Sequence, residues 1–231
     1  MLDRSCPWRT PCLVVACLCR SAMRTPNDKV LRVLAPAYAP CAGFANGCSS
    51  MRWAPERGHV PRGICGATGA PEDVRLVLVC AEPGDPHERE SHSTTSPLES
   101  VCEYGYRCFR DGKDLFHGNI RTILDMCFPG LSFEAQMEFM WFTESVLCSA
   151  AVECGGVPAG VARECRTRFL EPQLALFPNA VVAALGAKAR DRLRGVPGVI
   201  PAIAAAPPGC NRRDAKASWQ AIADRVLRSE V

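Results

Sequence analysis

The segment Ala81-Glu82-Pro83-Gly84-Asp85-Pro86-His87-Glu88 gathers three carboxylates and an imidazole around a Pro-Gly turn. Carboxylates at that density can orient water or meet a positive charge, provided solvent or hydrogen-bond partners keep them ionised. On composition alone, a solvated acidic loop contains the same residues. The second reactive set is the cysteines, fifteen in all, at 6, 12, 17, 19, 41, 48, 65, 80, 102, 108, 127, 148, 154, 165 and 210. An odd number without a dense regular framework argues against a secreted disulfide scaffold. It leaves reduced thiols, with room for a metal site.

Elements that would position these groups follow from the apolar pattern. Val74 to Cys80 is a short, β-branched run that stops at Pro83-Gly84 and predicts a buried strand. Phe139 to Thr143, Ala180 to Leu185 and Val199 to Ala204 are three more such runs. Helical spacing covers Ile120 to Cys127, Phe133 to Glu138, Val161 to Leu176 and Arg213 to Arg228, the last with Ala215, Trp219, Ile222 and Val226 on one face. Strands alternating with helices need crossover connections. The prediction is a three-layer α/β/α fold on a four-stranded parallel sheet. Ligands of such sheets bind outside the carboxyl ends of the strands. That places residues 81–88, Glu144-Ser145 and 206–213 around the site.

Length and charge bound the remainder. The chain has 231 residues, 48% of them hydrophobic, which suits one domain over residues 26–231 behind a loose extension at 1–25. Leu13 to Cys17 has the look of a short export signal, but Pro7 and Pro11 break it and the run is brief; Met23 is an alternative start. The expectation is a cytoplasmic monomer. No window reaches the ~18 apolar residues of a membrane span, and nothing repeats at a solenoid period. A net charge of +3 permits an anionic partner without requiring one.

Several segments, in order, resemble the uracil-DNA glycosylase superfamily over about residues 41 to 228. Val79-Cys80-Ala81-Glu82-Pro83-Gly84 resembles its first motif, a Gly-x-x-Pro-Gly or related turn after a strand. Trp141-Phe142-Thr143-Glu144-Ser145-Val146-Leu147-Cys148 looks like the Thr-Asn-x-x-Lys-Cys strand end of the iron–sulfur branch. The stretch from Phe169 through Phe177-Pro178-Asn179 to Gly186 resembles that branch's helix-strand-Gly segment. In that branch two cysteines precede the first motif, a third closes the Thr-Asn strand and a fourth lies just before the Phe-Leu helix. Cys41, Cys48, Cys148 and Cys165 occupy those places, and the resemblance implies that they hold a [4Fe–4S] cluster. Six residues separate Cys41 from Cys48 where the family has a tight Cys-x-x-Cys. A structural zinc, or four ordinary buried thiols, would use the same residues.

The resemblance implies base excision from DNA. Such chemistry needs a flipped base, stabilisation of the leaving base, and a carboxylate that meets positive charge on the sugar and orients water. Glu82 is the first catalytic candidate and Asp85 the second. Ala81 and Gly84 shape the turn beside the substrate. Phe116, in a Leu115-Phe116-His117-Gly118-Asn119 segment similar to the family's Pro-Phe-Val-Gly, is the aromatic that would stack on the base. Arg212 is placed to meet phosphate, with Arg213 beside it. Three positions depart from the family pattern. Ala206-Pro207-Pro208 stands where His-Pro-Ser or His-Pro-Ala is common, so the imidazole that steadies the leaving base is missing and a backbone amide or Arg212 would substitute. Glu144 replaces the base-reading Asn. Gly84 replaces a bulky residue that excludes the thymine methyl. The implied activity is a monofunctional glycosylase acting on DNA that contains uracil and other deaminated bases. The alternative is an iron–sulfur protein that binds uracil-DNA with slow, covalent or lost catalysis.

Overall fold

The computed structural model describes residues 25–39, 41, 43 and 48–229, so the predicted extension lies almost wholly outside the described residues. Five strands form one mixed sheet in the order β1-β3-β2-β4-β5: β1 Cys65–Gly66, β2 Leu76–Cys80, β3 Met140–Glu144, β4 Val181–Leu185 and β5 Ile200–Ala202. β3, β2, β4 and β5 run parallel, while β1 pairs antiparallel with β3 through Cys65 opposite Phe142 and Gly66 opposite Trp141. The sheet is therefore not the four-stranded, wholly parallel one expected from the sequence. A two-residue strand has no periodicity to detect, which is why β1 escaped that reading.

Alternation along β2 divides the interior in two. Val77 and Val79 face one apolar cluster with Trp141 and Ala184. Leu76, Leu78 and Cys80 face the other with Met140, Phe142 and Leu185. Helix α1 (Asp28–Leu34), α5 (Ala159–Cys165), α6 (Glu171–Ala175) and α7 (Ala187–Arg192) contribute to the first; α3 (Leu115–Cys127), α4 (Phe133–Phe139) and α8 (Ala215–Arg228) contribute to the second. A π turn over Arg166–Leu170 joins α5 to α6, so the helix expected from Val161 to Leu176 is nearly continuous.

Helix α2 (Pro97–Asp111) spans the β1 edge, with Val101 and Cys102 in the first cluster and Tyr106 and Phe109 in the second. It approaches β1 closely at Gly105, where an added Cβ would stand 2.8 Å from the Ile64 carbonyl oxygen. That contact draws Tyr104 and Phe109 toward the carboxyl end of the sheet. On the opposite flank, fully buried Trp219 of α8 donates its indole N–H to Ile203 O at 2.9 Å, pinning the C-terminal helix to the segment after β5. Replacing Trp219 with Ala removes this packing and leaves a carbonyl unpaired. The expected loss is about 3–5 kcal/mol in urea unfolding at neutral pH; a loss below ~1 kcal/mol would show that α8 adds little to the fold.

Candidate active site

A cavity of about 590 Å³ opens at the carboxyl ends of β2, β3 and β4. Its walls include Cys80 to Asp85, Glu144, Leu185 and Ala204 to Pro207, which is where an open α/β sheet presents its ligands. The backbone holds the β2 exit in place by extending the pairing with β3: Ser145 N–H donates to Cys80 O at 2.9 Å and Val146 N–H to Ala81 O at 3.0 Å. Ser145 Oγ donates to the same Ala81 oxygen at 2.6 Å. These bonds fix the direction in which the chain leaves toward Glu82.

Glu82 lines the cavity with its side chain only 7% exposed. Both its oxygens meet cations from α7: Lys188 Nζ is 2.6 Å from Oε1 and Arg192 Nη1 is 2.6 Å from Oε2. The Lys188 contact is a hydrogen bond. Arg192 approaches off the hydrogen-bond direction, leaving Oε2 without a directed donor; the guanidinium gives its hydrogen bonds to Ala81 O and Ser145 Oγ instead. Glu82 is thus an ion-paired anion set in the wall. Asp85 sits at the rim, paired with Arg52 at 3.1 Å and 39% exposed.

Glu144 terminates β3 directly opposite Cys80 in the register. Its carboxyl is buried, lines the cavity, and Oε2 has no hydrogen-bond partner among the described residues. Gly63 makes room for it: an added Cβ there would come within 2.5 Å of Glu144 Cγ. Burial drives the Glu144 pKa well above the ordinary carboxylate value, and the negative charge of Glu82 pushes it further up. Arg62 and Arg192 oppose the shift without reversing it. These surroundings favour its neutral, protonated form. It then presents one O–H donor and one carbonyl acceptor, the same pair of functions as an amide.

Arg62 is itself committed. It donates to Ser149 Oγ at 2.9 Å, to Gly58 O at 3.1 Å and to Gly84 O, and it stands 3.5 Å from Glu90. Glu90 binds His92 Nε2 at 3.0 Å, and burial raises its pKa less than His92 and Arg62 lower it. An aromatic wall completes the cavity. Phe142 packs against Phe109 at 4.9 Å and Phe116 at 5.9 Å between ring centres, and Tyr104 stands on the same lining.

Of the residues expected at the site, Ala81, Glu82, Gly84, Asp85, Phe116 and Glu144 share this one cavity. A Cβ added to Gly84 would meet only Glu153 Oε1, at 3.1 Å, so the turn leaves space there. Arg212 does not join them. After the 3-10 turn at Gly209–Asn211 its guanidinium forms a two-point ion pair with Asp214, at 3.0 and 2.7 Å, and lines a separate, more open depression with Arg190 and Gly186. The sequence reading passed over Arg62, Glu90, His92 and Tyr104, which lie in turns and on α2. The Pro97 start and Gly112 stop of α2 were the available signal.

The four cysteines singled out for a cluster also converge. Cys41, Cys48, Cys148 and Cys165 are all buried in one core region. An added Cβ on Gly43 would lie 2.9 Å from Cys48 Sγ and 3.2 Å from Cys41 Sγ. Burial raises the Cys148 thiol, and Cys165, Cys41 and Cys48 raise it further; Cys165 is pushed up to about 11, chiefly by burial. The four thiols are therefore near enough to oppose one another's ionisation, and a positive group among them would favour the thiolates. Among the described residues, no three His, Cys, Asp or Glu side chains close up as a site for a single metal ion. Four buried thiols around one space nevertheless suit an iron–sulfur cluster in donor type and number. No protein-family model matches the sequence, and no curated protein matches it either.

The buried acid gives a pH signature. Because the folded-state pKa of Glu144 lies above its ordinary 4.5, its folded form stays protonated where the unfolded form ionises. Stability is intact below that ordinary value and falls as pH rises toward the folded-state pKa, by up to about 1.4 kcal/mol per pH unit. Glu144→Gln should remove that slope and be more stable than the parent at about pH 7 but not at about pH 4. Urea melts at the two pH values measure it, and parallel curves for both proteins would show that Glu144 ionises freely.

Proposed function

We propose that the chain is a DNA glycosylase that removes uracil and related deaminated bases by hydrolysis. The observation that carries this reading is the pair of carboxyls in one cavity with opposed environments. Glu144 is buried and unpartnered, while Glu82 is held as an anion by two cations. Two acids driven apart in this way divide an acid's and an anion's work between them.

The neutral Glu144 suits the lactam edge of a deaminated base, accepting from its ring N–H and donating to the neighbouring carbonyl oxygen. Phe116 and the aromatic wall behind it offer a face for a base swung out of the stack. In the reaction the C1′–N bond breaks with its electron pair leaving on the base. Water oxygen bonds to C1′, and the proton that water gives up ends on the base. Glu82 meets the positive charge that builds on the sugar. Cys41, Cys48, Cys148 and Cys165 would hold a [4Fe–4S] cluster, whose contribution is to tie together three segments far apart in the chain.

Single-turnover release of uracil from an oligonucleotide tests the reading. Glu82→Gln keeps shape and removes charge, and should slow release by roughly 10²–10³-fold. If it keeps full rate while Asp85→Asn is inactive, the turn is catalytic but the roles within it are exchanged. Glu144→Asn should retain uracil release and sharpen the preference for uracil over hypoxanthine and xanthine, since an amide cannot switch its donor pattern with pH. Unchanged ratios would show that Glu144 does not face the base.

The cofactor has its own readout. The purified protein should be brown with about four irons per chain, and Cys165→Ala should lose iron and stability together. A colourless protein carrying zinc would replace the cluster with a structural ion.

A further inference from the structure

One imidazole in the cavity is set up differently from the others. His117 is the third residue of α3 and lines the same wall as Glu144 and Phe116. Its Nδ1 lies 2.9 Å from both oxygens of Asp114, the residue that caps the helix. The same carboxylate accepts the His117 backbone N–H at 3.0 Å. The ring is wedged edge-on against Phe109 at 4.8 Å and Phe116 at 5.1 Å between centres. Asn119, one half-turn on, donates to Ala205 O at 2.8 Å and ties this end of α3 to the strand exit where an imidazole is missing at Ala206. By contrast, both ring nitrogens of His92 are engaged, by Glu90 and Ser100, and His87 Nδ1 accepts from Arg89 N–H.

Hydrogen-bond chemistry fixes the tautomer. An ionised carboxylate only accepts, so Nδ1 of His117 must carry the hydrogen, and the neutral ring then bears its lone pair on Nε2. Burial pushes the Asp114 carboxyl up, but the backbone N–H and ring of His117 more than reverse that, which keeps it the acceptor. Lys113, Tyr104, Cys108 and Glu144 are among the other titratable groups on these walls. Glu82, the other candidate for activating water, has both oxygens facing cations.

Resting on the glycosylase reading, we propose that His117, oriented by Asp114, is the general base that activates the attacking water. Water oxygen bonds to C1′ as its proton passes to Nε2. The base leaves with the C1′–N electron pair and takes its proton from the imidazolium, directly or through water, so the ring returns to its starting state. Glu82 is thereby left to stabilise charge and Glu144 to read the base.

The test compares wild type, His117→Gln, His117→Ala and Asp114→Asn for single-turnover uracil release and for binding to uracil-containing DNA. His117→Gln should lose roughly 10²–10⁴-fold in rate while binding is kept. Added imidazole should restore part of the His117→Ala rate, which a merely misfolded or mispacked variant would not show. Asp114→Asn should fall between wild type and His117→Gln. Active wild type with a fully active His117→Gln overturns the assignment and leaves the glycosylase reading standing, and so does a His117→Ala variant that imidazole cannot rescue. Wild type that releases no deaminated base overturns both.

Discussion

A carboxyl group buried at the end of β3 is the constraint around which the site is arranged. Transferring an ionised carboxylate from water to the buried carboxyl end of the sheet is costly without a partner, so burial favours the neutral form. Its surroundings show what that requires. Gly63, which has no side chain, leaves the space that Glu144 fills, and Arg62 is near enough to influence it yet spends its donors on Gly58, Gly84 and Ser149. Had Arg62 paired with Glu144, the carboxyl would have ionised and become a fixed anion. Instead Glu90 takes up the arginine, with His92 behind it, and Glu144 Oε2 stays buried without a hydrogen-bond partner among the described residues.

The thiols act on the same region from the other face of the sheet. Cys148 follows Leu147, whose carbonyl accepts from Arg62 N–H at 2.9 Å, and precedes Ser149, whose hydroxyl donates to Gly84 O at 3.2 Å. Anything that draws the four cysteines together therefore also sets the position of the Pro83-Gly84 turn. The π turn after Cys165 carries this constraint along the helix to Gln173, which accepts the indole N–H of fully buried Trp141 at 2.9 Å. Trp141 lies three residues before Glu144 on β3, so packed elements connect the thiol region to the end of that strand.

Much of this was legible in the sequence because it rests on period and punctuation. The four apolar runs became β2 to β5 with ends shifted by a residue or two, and the turn residues after them became the cavity lining. What escaped was set by contacts that the apolar pattern does not encode. β1 is two residues long and exists because β3 offers it a partner. Arg212 was assigned to phosphate by its neighbours in the chain, but Asp214 is two residues away and claims it at surface dielectric. His117 appeared only inside a motif comparison, since nothing in its spacing announces that Asp114 will turn back to hold its ring. The ion pairing of Glu82 was equally invisible, as Lys188 and Arg192 lie on α7 more than a hundred residues away.

That pairing explains why two glutamates side by side in one cavity do not simply repel. Left alone, two neighbouring carboxylates would oppose each other's charge without deciding which of them carries a proton. Lys188 and Arg192 break the symmetry by approaching Glu82 alone at bonding distance, while burial beside Cys80 and Gly63 disfavours charge on Glu144. The proton is thereby assigned to Glu144 by position. The counter-charges of Glu82 are on a helix fixed to the sheet, so its charge is arranged in advance rather than recruited by reorganisation, which is what the proposed reaction would need of it.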